Sequence, residues 1–123
     1  MRLAALLVLA ASAMAHHSFS MFDNTREVTI SGVIKEFQWT NPHTFTWVDV
    51  PNAAGGADTW ALEGMSPNYL GRRGWTKNSL KPGDHVTIVI YALKDGLKGG
   101  TFLRSKLADG KELVMFGNPG AVR

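Results

Sequence analysis

The chain has 123 residues, no cysteine and a formal charge of +3, from 13 Lys and Arg against 10 Asp and Glu. Without cysteine, neither disulfides nor thiolate metal sites are available, so packing alone must stabilise the fold. The cations are scattered, with only Arg72 and Arg73 adjacent, and this lacks the basic stripe of a nucleic-acid binder.

Met1-Arg2 is a short positive start, Leu3 to Ala11 is apolar throughout, and Ala13-Met14-Ala15 is a small-x-small cleavage site. Together they predict a signal peptide over residues 1–15, cut after Ala15, and a periplasmic or secreted protein. The apolar stretch is shorter than the roughly 20 residues that span a bilayer, and no later segment approaches that length. No membrane span is therefore expected after cleavage, and the formal charge of +3 falls to +2 when Arg2 leaves.

Residues 16–26 read as an extended arm carrying Phe19, Met21 and Phe22. A barrel domain is expected over 27–116, with a loose tail at 117–123. The first strand, 27–37, has Val28, Ile30 and Ile34 on one parity and Gly32 between them, where a sheet can bend. Thr40-Asn41-Pro42-His43 is turn chemistry, since proline fixes its own φ and keeps Asn41 out of the helical region. Strands follow at 44–50 and 58–63, joined by a loop containing Gly55-Gly56.

A helix of at most about two turns is predicted after Ser66, which can cap it. Pro67 suits its first position and Gly74 its stop. Residues 85–93 form a fourth strand with Val86, Ile88 and Ile90 alternating, and Asp95-Gly96 to Gly99-Gly100 reads as a flexible hairpin. Leu103 and Leu107 alternate with Arg104 and Lys106, and Asp109-Gly110 then turns the chain into a last strand at 112–116. Three strands, a helix and two or three strands predict an all-β protein with one short helix. Its architecture is a small OB-like β-barrel of five to six strands, with a generic barrel or sandwich as the rival.

From His16 to about Leu113 the chain resembles a family of small exported bacterial proteins known as domain-of-unknown-function family 6152. The likeness rests on His16-His17-Ser18-Phe19, on the run from Gly32 through Trp39-Thr40-Asn41-Pro42-His43, and on Trp60 with Glu63. Ser66-Pro67-Asn68, Arg72-Arg73-Gly74-Trp75 and Leu80 to Asp84 continue it. The resemblance implies a periplasmic β-barrel-like domain and supplies no activity. The leading His pair and the Asn-Pro-His turn belong to its pattern, whereas His85 does not.

Cleavage after Ala15 would make His16 the first residue, offering an α-amine and an imidazole to one metal. Nitrogen ligands of this kind suit Cu(II), and also Zn(II) or Ni(II). The metal ligands expected are His16, His43 across from it and His17, with copper the first choice of cofactor; Glu63 could add an oxygen. Against this stands the bland reading, in which the two leading histidines are only polar residues after a cut site. His43 would then bond to turn backbone, and Glu63 would pair with Arg72 or Arg73.

A second reading is an interaction module for a small ligand or protein partner. It would use a rim of Trp39, Asn41, Glu63, Asn68, Arg72, Arg73 and Trp75, with Trp39 and Trp75 equally placed to be core. Trp47 and Trp60 are mid-strand and expected in the core. No nucleophile elbow, zinc-protease helix or phosphate loop is present, so catalysis is poorly supported, and a copper-dependent oxidoreductase is the third and weakest reading.

Overall fold

The computed structural model describes residues 19–117. Expectations for the signal segment, for His16 and His17, and for the tail from 118 onward lie outside those residues.

Strand β1 (Phe22–Gln38) is the longest element and is shared by both sides of the barrel. Its first part pairs antiparallel with β4 (His85–Leu93), from Phe22 opposite Leu93 to Val33 opposite His85. Its second part pairs with β2 (Phe45–Pro51), from Val33 opposite Asp49 to Gln38 opposite Phe45. The change of partner falls beside Gly32, where a Cβ would run into the Asp49 carbonyl. The strand starts earlier than the expected arm-to-barrel boundary at residue 27. Residues 22–26 belong to it through the Phe22–Leu93 pairing, with an irregular register in between.

Strand β2 turns into β3 (Ala57–Glu63), and β4 continues into β5 (Gly99–Leu107). The barrel closes where β3 meets β5 in parallel, Ala61 with Gly99, Leu62 with Gly100 and Glu63 with Thr101. The circuit β1-β2-β3-β5-β4 is the OB order, and the expected fold is the one observed. One local expectation is corrected: Gly99-Gly100 is buried strand, not flexible hairpin. A side chain at Gly100 would strike the Tyr91 carbonyl, so the missing Cβ is what allows β5 to lie between its neighbours.

Inward positions follow the two-residue period of a strand. Ile30, Ile34, Val48, Leu62, Ile88, Ile90 and Phe102 are buried together. Between β3 and β4 runs the helix α1 (Pro67–Arg72). Ser66 caps it by accepting the Tyr69 N–H at 3.2 Å, with Pro67 in its first turn. The segment after it buries Trp75 and Leu80 in the same core. A short extra strand, β6 (Glu112–Val114), lies on β5 from Arg104 to Lys106. The Trp75 indole N–H donates to Val114 O at 3.0 Å, and Arg73 donates to Met115 O at 3.3 Å, which ties this strand to the helix side.

On the outer surface Arg104 grips Glu27 with two hydrogen bonds, at 3.0 and 2.6 Å. Those bonds, more than the charge alone, hold the Glu27 carboxyl below its ordinary value. A depressed carboxyl stabilises the fold above its unfolded pKa, near 4.3. That contribution is lost as the pH falls through the lower, folded value. Glu27→Gln should thus cost up to about 1 kcal/mol near neutral pH, because the Glu27 side chain is about half exposed although Arg104 is mostly covered. In urea titrations repeated down the pH scale, the gap to wild type should close below about pH 4.

Ser105 is fully buried, and its hydroxyl has no hydrogen-bond partner among the described residues. Ser105→Ala should raise stability by about 1 kcal/mol, an increase of roughly 4–8 °C in the thermal midpoint.

Candidate functional site

The loop between β1 and β2 brings the candidate residues together. Trp39 stands edge-on to Phe37 at 5.9 Å and is half-buried against the core. The Asn41–Pro42 bond is cis, both residues are exposed, and the Thr40 hydroxyl donates to the His43 carbonyl at 3.0 Å. Directly after His43 the chain is locked to the end of β3. Thr44 N–H donates to Met65 O at 3.1 Å, Gly64 N–H donates to Thr44 O at 2.8 Å, and the Thr44 hydroxyl donates to Met65 O at 2.8 Å.

This frame fixes the His43 ring. Its Nδ1 lies 3.1 Å from the Gly64 carbonyl, which can only accept, so Nδ1 carries the hydrogen. The other ring nitrogen, Nε2, lies 3.6 Å from Glu63 Oε1. A metal ion placed between these two atoms could be ligated by both. Ligand bonds near 2.0–2.2 Å would span the gap at an angle of about 120°. A backbone carbonyl on the other ring nitrogen is the usual way a protein orients a ligating histidine.

His43 and Glu63 border a recess of about 20 Å³, walled also by Phe22, Met65 and Phe102. It holds one water-sized occupant at most. Glu63 is 20% exposed and His43 37%, so the opening is reachable from solvent. Among the described residues no three His, Asp or Glu side chains gather into a complete metal site. The described part of the chain supplies two donors.

The structure separates the rest of the expected residues. Glu63 does not pair with Arg72 or Arg73, because β3 ends facing the loop instead of the helix. Arg73 donates to the Tyr69 hydroxyl at 2.8 Å and lies over the Tyr69 ring, while Arg72 is exposed. Asn68 is exposed on the helix, and the capping role there belongs to Ser66. Trp75 is core, only 3% exposed, with its ring on Phe37 and Phe102 and its N–H on Val114. Trp60 packs against the core as expected. Trp47, expected there too, sits on the outer face beside Phe45 at 5.9 Å, because Thr46 and Val48 take the inward positions of β2.

Sequence reasoning named His43 and Glu63 as candidate co-ligands but not their direct contact, nor the walls at Phe22 and Met65. A hairpin centred on Ala54 sets residue 45 opposite residue 63, and that count carried the signal for the pairing.

A model of a family of unknown function (DUF6152) matches residues 5–105. No curated protein and no solved structure matches the chain.

Proposed function

Since the chain belongs to this family of unknown function, which assigns it no activity, we propose its role from the site itself. We infer an exported, periplasmic, non-catalytic binding protein that holds a divalent transition metal, copper first. The ligands are the mature N-terminal His16, through amine and imidazole, and His43, with His17 as a further nitrogen and Glu63 as an oxygen.

The observation that carries this reading is His43 Nε2 facing the Glu63 carboxylate across 3.6 Å, over a recess of about 20 Å³. Phe22 supports it. That residue walls the same recess and follows His16 by six positions, a span of at most about 20 Å of chain. The start of a chain cut after Ala15 is thereby within reach of His43. Amine and imidazole nitrogens with one carboxylate suit Cu(II), Zn(II) and Ni(II), and copper heads the affinity order among them. Export rests on the leader-like residues 1–15; among the described residues no helix is long and apolar enough to cross a membrane.

The rival interaction rim loses its centre, because Trp75 is buried and Arg73 is engaged by Tyr69 and Met115. No observation favours it over the metal.

Intact-mass analysis of exported protein should give a chain beginning at His16. That form should take up a single equivalent of Cu(II), followed by spectroscopic titration, and a form with one extra leading Met should bind far more weakly. Equal uptake by both forms, or none by either, rejects the reading. His43→Gln should weaken binding beyond the roughly 10- to 100-fold typical of losing an outer-shell partner. Glu63→Gln should weaken it less while the fold, followed by circular dichroism, is unchanged.

A further inference from the structure

A groove of about 570 Å³ crosses the outside of the barrel and shares no residue with the His43 recess. The strand registers lay out its floor. Val33 on β1 stands between Asp49 on β2 and His85 on β4, and Ser31 stands beside Thr87, which faces Lys106 on β5. The Ser31 and Thr87 hydroxyls lie 3.0 Å apart and hydrogen-bond to each other, leaving further acceptor capacity toward the groove. The base of the β2–β3 hairpin, Pro51 and Ala57, forms one bank. The volume is in the range of small-molecule sites, roughly 300–1,000 Å³.

The two ends carry opposite charge. Asp49, on the hairpin side, accepts the Thr59 hydroxyl at 2.6 Å and is in no ion pair with any described residue. Lys106 stands at the far side with His85 near it, and it too is in no such pair; Glu112 on β6 is opposite Lys106 in register and exposed. From β2 to β5 there are three interstrand steps of about 4.8 Å, and Lys106 is displaced two residues along the strands from the row of Asp49, so the two backbones are about 16 Å apart. An extended peptide rises about 3.3 Å per residue, so four residues together with the reach of the Lys106 side chain cover that span.

We propose that this groove binds a short, free-ended peptide of three or four small residues. Its α-ammonium lies at Asp49 and its α-carboxylate at Lys106 and His85. A simple anion would leave Asp49 facing like charge, and a simple cation would do the same at Lys106; only a dipolar ligand satisfies both ends. The hydroxyl pair on the floor can accept a peptide N–H, and Val33 gives an apolar seat for a small side chain.

The test is isothermal titration with unblocked tetraalanine, its N-acetyl form, its C-terminal amide and the doubly blocked peptide. The free peptide should bind, and blocking either end should weaken it roughly fivefold, as for an exposed charge pair. Asp49→Asn should weaken the free peptide by the same factor and leave the N-acetyl peptide unchanged. Lys106→Gln should do likewise with the amide as the insensitive ligand. His43→Gln should bind the free peptide as wild type does. Absence of binding, equal binding of free and doubly blocked peptide, or variant effects indifferent to which end is blocked would each overturn the proposal.

Discussion

Three residue pairs hold this molecule shut: Ala61 with Gly99, Leu62 with Gly100 and Glu63 with Thr101. A parallel contact that short contributes little hydrogen bonding, yet it converts a bent sheet into a barrel with a single interior. Leu62 and Phe102 share the core because of it, and Glu63 stops at the recess wall instead of fraying into solvent. The contact exists because β5 begins with two residues that have no side chain to displace the Leu93 side chain or the Tyr91 backbone.

The recess inherits its rigidity from the same closure. His43 belongs to a loop, but its neighbour Thr44 is bonded to Met65 through both backbone and hydroxyl. The imidazole is therefore oriented by strand-like bonding on one side and by the Gly64 carbonyl on the other. A loop histidine with two independent restraints has little rotamer freedom left to lose on gaining a ligand, which is the physical meaning of a prearranged site.

Much of the fold was legible because it is written in short-range patterns. Alternation of Val86, Ile88 and Ile90, the Ser66-Pro67 start and the Asp109-Gly110 turn are local signals, and each element they mark is present. Gly99 and Gly100 were misread because a glycine pair looks the same in a loop as in a strand pressed against its neighbours. Only the three-dimensional partners, Ala61 and Tyr91, tell the two apart. The site was half legible. His43 stood out through its proline-bound turn, whereas Glu63 was left between an oxygen ligand beside it and an ion pair with the arginines that follow it in sequence. Across the hairpin it meets the loop instead, and Trp47 was misplaced for a related reason, since its side of β2 depends on register and not on residue type.

The last described strand has a role that its three residues understate. β3 leaves β5 after Thr101 to enter the helix, and from there on β6, Met115 and Phe116 supply the bonds that the edge of β5 would otherwise lack. Proteolysis just ahead of Glu112 would bare that edge from Leu103 to Lys106 and empty the core position of Met115 at once. An uncovered strand margin recruits strands from other molecules. The guard against self-association therefore sits in the last described strand, whose Glu112 pairs in register with Lys106.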